Sequence, residues 1–221
     1  MIGALNEVER RHAPRILYLR GDAALLTRGP RVSIVGSRGA SALGLRRAEL
    51  LARTLVRHGL IVVSGLAAGI DTVAHKAAMR AGGRTIAVLG TPLDRCYPPE
   101  NAGLQAILAR DHLLVSQFPA GEKIALRNFP IRNRTMALLT DATIIVEAGD
   151  DSGALQQGWE ALRLGRLLFL LESAAEDPHL TWPQQLLDHG AQVLSRANLE
   201  EWLVEIPAVT LRAGLDGSSL F

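Results

Sequence analysis

The feature that most constrains this chain is an alternation that begins at Arg31. Short apolar runs, RVSIVG, LIVVSG, RTIAVLG, HLLVSQ, ATIIVEAG and LLFLL, are separated by helical stretches at 41–57, 71–81, 100–110, 130–139 and 152–164. The runs are apolar on successive residues, not on alternate ones. Each must therefore be buried on both faces, as in a parallel sheet covered by crossover helices. Ser41 reads as the N-cap of the first of these helices. Arg57 and His58 suit its negative end, and Gly59 follows as its stop. The pattern predicts an α/β, doubly wound, Rossmann-like domain over residues 31–205, with a mostly parallel sheet of about six or more strands and helices on both faces.

Residues 1–30 read as a lead-in, with RILYLRGD supplying an extra edge strand and turn. After Leu171, ESAAEDPHL reads as a loop, and short helices near 183–188 and 198–204 close the domain. Residues 206–221 read as a flexible tail. Its last residues, SSLF, suit either a short docking motif for a replication protein or an end without a partner.

In an open α/β sheet, ligands bind beyond the carboxyl ends of the strands, so the loops there carry the chemistry. The first, GSRGASALG, offers Gly36 and Gly39 for close backbone approach and Ser37 and Arg38 as anion donors, ahead of a helix N-terminus. It reads as a phosphate site or as tight strand–helix packing. The order of glycines is not GxGxxG, and the second strand does not end in an acid, which argues against a dinucleotide cofactor. In the second loop, from Ser64 and Gly65 to His75, Asp71 and His75 share a helical face. An acid–base pair or two metal ligands is one reading, and a helix-capping Asp71 beside a satisfied His75 is the plainer one. The third, GTPLDRCYPPEN, puts Tyr97 where it can shape a rim or stack on a base, and leaves Cys96 without an activating neighbour.

The fourth loop is the most distinctive. SQFPAGEKIALRNFPIRNRTM joins Phe118 and Phe129 to Arg127, Arg132, Asn133 and Arg134, with no acid between Phe129 and Met136. Rings beside guanidinium groups suit single-stranded nucleic acid, where bases stack and phosphates are neutralised. Arginine in a first helical turn opposes the dipole, so these residues serve a bound anion or a buried carboxylate such as Glu147 or Asp141. In the fifth loop, Asp150 and Asp151 flank Ser152 and read as capping or as a metal pair.

The net charge of +2 and the isoelectric point near 9.1 make any polyanion site a matter of local clustering. One cysteine, no secretory leader and no apolar run near the ~20 residues of a membrane helix point to a cytoplasmic protein without membrane contact.

Taken together, IVGSRGAS, VSGLAAGIDTVAHKAAMRAGGRTIAVLGTPLDRCYPPEN and FPIRNRTMALLTDATIIVEAGDDSGAL resemble the DprA/Smf DNA-processing family, over about residues 16–171. The resemblance implies an extended Rossmann fold that binds single-stranded DNA, protects incoming strands and helps load RecA recombinase in natural transformation. It implies no catalysis and no cofactor. It also implies a homodimer through the region around 164–193. Contact roles would fall on Arg38 and Arg127 for phosphates and on Phe129 for a base. The full candidate set is Gly36, Ser37, Arg38, Gly39, Ser64, Gly65, Arg127, Phe129, Arg132, Asn133 and Arg134.

The chain departs from the family pattern at Gln117, where Glu is common, and at Leu126, where Lys is common. It is expected to lack the N-terminal helical and C-terminal winged-helix domains of many relatives. Two other readings follow from similar folds. A sensor of small nucleotides would use the same crevice. A nucleotide phosphoribohydrolase resembling the cytokinin-activating enzymes would need acids where Gln156 and Gln157 stand.

Overall fold

Each apolar run is a buried strand. The computed structural model describes residues 7–206. Its strands are β1 (Tyr18–Gly21), β2 (Arg31–Val35), β3 (Ile61–Ser64), β4 (Thr85–Leu89), β5 (Leu113–Ser116), β6 (Ala142–Ile145), β7 (Leu167–Leu171) and β8 (Gln192–Leu194). They form one sheet in the order β1-β5-β4-β3-β2-β6-β7-β8. Every neighbouring pair is parallel except β1 with β5, where Tyr18 opposes Ser116 and Gly21 opposes Leu113. The predicted edge strand is thus present. β8, three residues beside β7, is an addition that its brief QVL run did not announce.

The helices are α1 (Glu7–His12), α2 (Ala42–Arg57), α3 (Ile70–Arg80), α4 (Ala102–Asp111), α5 (Asn128–Leu138), α6 (Gly153–Arg163), α7 (Glu172–Ala175) and α8 (Trp182–Asp188). Residues 199–206 form a further helix. The ESAAEDPHL stretch is not wholly loop: its first four residues are α7, because Ala174 is drawn into the core beside β7. The tail beyond 206 lies outside the described residues.

The sheet separates two apolar layers. Val32, Ile34 and Val62 pack with Leu51 and Leu55 of α2 and with Ala74 and Ala78 of α3. On the opposite face, Val63, Ile86 and Val88 join Met136 of α5 and Leu186 of α8. The 199–206 helix closes the first face, where Trp202 meets Phe169 edge-on at 4.9 Å. Arg31 ties β2 to β6 at their start. Its N–H donates to Asp141 Oδ2 at 2.7 Å and its Nε to the Leu139 carbonyl at 2.6 Å.

After the edge strand β1, the chain moves to the centre of the sheet at β2, runs outward through β3, β4 and β5, then returns to β6 on the other side of β2. The strand order therefore reverses between β2 and β6. The loops after those two strands diverge there and leave a crevice.

Candidate nucleic-acid interface

The loop after β2 is fixed by β6. Ser37 N–H donates to the Glu147 carbonyl at 2.7 Å, and Gly39 N–H to Ser37 Oγ at 3.2 Å. Ser41 caps α2 by accepting from Gly44 N–H at 3.0 Å. Ser41 itself donates twice to the Glu147 carboxylate, through N–H at 2.7 Å and through Oγ at 2.6 Å. This corrects one sequence expectation. The N-terminus of α2 already holds an anion, the protein's own Glu147, so what the loop offers a ligand is the exposed Arg38 side chain.

Arg38 stands over an aromatic ring. Its guanidinium carbon lies 5.6 Å from the centroid of Phe129, within cation–π range. Phe129 is in turn 5.3 Å from the ring of Tyr97. Beneath it, the turn after β4 presents Gly90, where a Cβ would come within 2.6 Å of the Phe129 ring. Only a bare backbone permits that seat. Phe118, by contrast, is buried in the core and takes no part.

Below the pair, Arg132 is buried. Its Nη1 donates to the Val88 carbonyl at 2.8 Å, while its Nε has no partner. The carboxylate it faces is Asp71, not Glu147 or Asp141, which serve Ser41 and Arg31. Asp71 does not cap α3, since Gly69 occupies that position at φ +73°, where glycine is at ease. Asp71 Oδ2 instead folds back to accept from Gly65 N–H at 3.1 Å and Ala67 N–H at 3.2 Å. Burial pushes the Asp71 carboxyl above its ordinary range, opposed by the Arg132 charge and these amides. Burial likewise lowers Arg132.

His75, one turn on, is sealed in the core. Thr85 Oγ1 spends its proton on the Val62 carbonyl, so His75 Nδ1 must be the donor in their 2.7 Å contact. Its Nε2 is then unprotonated and unpartnered, and burial pushes the imidazole down to about 3.

These elements border a cleft of about 590 Å³ whose lining includes Arg38, Phe129, Arg132, Asn133, Asp150 and Asp151. A recess of about 80 Å³ opens from it between Arg38, Tyr97, Phe129 and Arg132. Gly36, Ser37 and Gly39 line the cleft and Gly65 the recess. The other predicted residues sit elsewhere. Ser64 Oγ donates to the Ile34 carbonyl inside the sheet. Arg127 is exposed at the start of α5, outside the cleft walls. Arg134 is engaged with the buried Glu160, Nε to Oε2 at 3.1 Å and Nη2 to Oε1 at 3.2 Å. Asp150 accepts from Thr181, and Ser152 is the N-cap of α6. Among the described residues, no group of three or more His, Cys, Asp or Glu is placed to hold a metal. Gln157 lines the cleft where a hydrolase would need an acid.

Sequence reasoning named Tyr97 as a rim or stacking residue, but it read Asp71 as a helix cap or half of an acid–base pair and Glu147 as a partner for the arginines of α5. Nothing local signalled that Asp71 would face Arg132 or that Glu147 would hold Ser41.

Comparison with known proteins identifies the family and matches the fold. The family model described as DNA recombination-mediator protein A matches residues 4–205. The DNA processing protein DprA of Bacillus subtilis is 36% identical over 88% of this chain and 65% of its own length. A solved structure of DNA processing protein A from Streptococcus pneumoniae superposes with a TM-score of 0.77 at 37% identity, covering 87% of this chain and 69% of that one. One from Helicobacter pylori, solved to describe its single-stranded DNA binding mode, gives 0.76 at 29% identity over 87% of both chains. The chain spans less than two thirds of the length of the Bacillus relative. No described helix is long and apolar enough to cross a membrane.

Proposed function

Since the chain belongs to the DNA recombination-mediator protein A family, we propose that residues 31–205 bind single-stranded DNA in the cleft at the β2/β6 switch point. The observation that carries this is the Arg38–Phe129 pair: one exposed cation and one half-buried ring, 5.6 Å apart, at the mouth of a cleft floored by Arg132. A phosphate meets the guanidinium while a base stacks on the ring, which requires no particular sequence. Tyr97, its ring tilted 50° to that of Phe129, offers a second aromatic surface beside the recess.

On this reading the protein acts in the cytoplasm as a non-catalytic DNA-processing factor. It shelters incoming single strands and hands them to a RecA-type recombinase. A homodimer through the region around 164–193 would join two clefts into a longer track. The exposed side of α8 lies in that region, with His189 edge-on to Trp159 of α6 at 5.0 Å.

The test is fluorescence anisotropy of a labelled single-stranded oligonucleotide at two salt concentrations, with duplex DNA and free nucleotides as competitors. Salt-sensitive binding that prefers the single strand and ignores free nucleotide is expected. Binding of a small nucleotide in place of DNA would overturn this reading in favour of a ligand sensor, for which a cleft of this volume is large enough. Light scattering that shows monomer alone at micromolar concentration would remove the dimer.

A further inference from the structure

The positive charge of this chain is not evenly spread. The net charge is only +2, yet α2 and α3, packed side by side, expose Arg46, Arg53, Arg57, Lys76 and Arg80 against one surface acid, Glu49. The remaining acid of the two helices is the buried Asp71. A groove of about 520 Å³ runs between them, lined by Leu45, Arg46, Glu49, Leu50, Arg53 and Val73. Glu49 is 3.5 Å from Arg80 and is thereby partly neutralised. Arg46 and Arg53 have no ion pair among the described residues.

The groove begins at Ala42, close to the Arg38 loop. Ile70 N–H, in the first turn of α3, donates to the Ser37 carbonyl at 3.3 Å, and α2 starts at Ser41, three residues beyond Arg38. The N-termini of both helices therefore flank the Arg38 loop. Arg46 lies about one turn into α2, and Arg53 about 10 Å further along its axis, at 1.5 Å per residue. Cations at this interval, unpaired and on one stripe that starts one turn from the Arg38 loop, suit a phosphate backbone leaving the cleft.

We propose that the α2/α3 groove is an exit track for single-stranded DNA, in which Arg46 and Arg53 neutralise phosphates that follow the one held at Arg38. This rests on the reading of the cleft given above. The track adds affinity that depends on strand length, because only a strand longer than the cleft can reach it.

The experiment compares anisotropy of the whole protein with a dT oligonucleotide of about 6 residues and one of about 20, across a salt series. The longer strand should show the steeper dependence of log K on log salt. Arg46→Glu with Arg53→Glu should lower that slope by about 1.4, two phosphates at ~0.7 each, for the longer strand alone. Binding of the short strand in the same variant reports that the fold and cleft are intact. Unchanged binding of the long strand would overturn the track and leave the cleft reading standing, as it would if the groove served an acidic protein segment. Failure of the unaltered protein to bind either strand would overturn both. Loss of short-strand binding on Arg38→Ala supports the cleft independently of the track.

Discussion

The guanidinium of Arg38 and the ring of Phe129 are already paired in the free protein, 5.6 Å from cation to centroid, although they lie 91 residues apart in sequence, one in a loop and one in the first turn of a helix. The β2 loop and the start of α5 meet because β2 is the central strand and α5 packs across the sheet just before β6. A cation held over a ring by that packing is preorganised, so less side-chain order is lost when a nucleotide arrives.

The two members of this pair act on different parts of binding. Phe129→Ala should weaken binding of single-stranded DNA by about 1–3 kcal/mol with little change in salt slope, since a stack releases no counterion. Arg38→Ala should lower the slope by about 0.7 for the lost phosphate contact. Titrations of both variants across a salt series separate the effects. Equal salt slopes in the two variants would remove the division of labour.

Arg134 provides the contrast. It sits two residues after Arg132 in the same basic motif, yet its guanidinium is bidentate to Glu160, which is 5% exposed. Arg163 approaches Glu160 only at 3.9 Å. Arg134→Ala should therefore destabilise the fold by about 1–3 kcal/mol, the cost of a poorly compensated buried carboxylate. The slope of DNA affinity against salt should stay unchanged. Chemical denaturation together with the salt series reads both, and a fall in slope equal to that of Arg38→Ala would place Arg134 on the DNA.

The same contrast shows what the sequence could and could not reveal. The strands from Arg31 to Leu171 were legible because runs buried on both faces leave continuous apolar signatures, as LIVVSG and LLFLL do. α7 was not, because four residues with an acidic start look like loop until Ala174 is seen in the core. Within RNFPIRNR the sequence supplied three equivalent arginines. The helix then separated them: Arg127 precedes its first turn, Arg132 turns inward to Asp71, and Arg134 reaches α6. Local pattern gave no means of choosing among Asp71, Asp141, Glu147 and Glu160 as partners, since pairing across the sheet depends on strand order.

The Asp71–Arg132 arrangement should behave as one unit. Arg132→Leu removes the cation that faces a buried carboxylate and the donor to the Val88 carbonyl, and should cost about 3–5 kcal/mol. Adding Asp71→Asn should restore part of that loss. The amide oxygen can still accept from Gly65 and Ala67, and no uncompensated charge remains. Thermal or urea melts of the two single variants and the double variant give the coupling. Strict additivity would mean that the two side chains do not sense one another.

His75 predicts an acid sensitivity that is separate from DNA binding. Its folded pKa is lowered to about 3 by burial, with His112 and Arg132 adding repulsion, against an ordinary value of 6.5. The unfolded chain therefore binds a proton below pH 6.5 that the native chain refuses, so stability falls as pH drops from 6.5 towards 3. At pH 5 the deficit from this one group is about 2 kcal/mol, at 1.36 kcal/mol per pH unit. The structural cause is Nε2: Nδ1 already donates to Thr85, so an added proton would enter the core with no acceptor. His75→Gln removes the titration. Its stability should exceed expectation at pH 5 relative to pH 7, and the gap between the two unfolding curves should narrow by about 2 kcal/mol over that interval. Parallel curves would show that the imidazole is protonated without unfolding, which requires a proton acceptor at Nε2 that this packing does not supply.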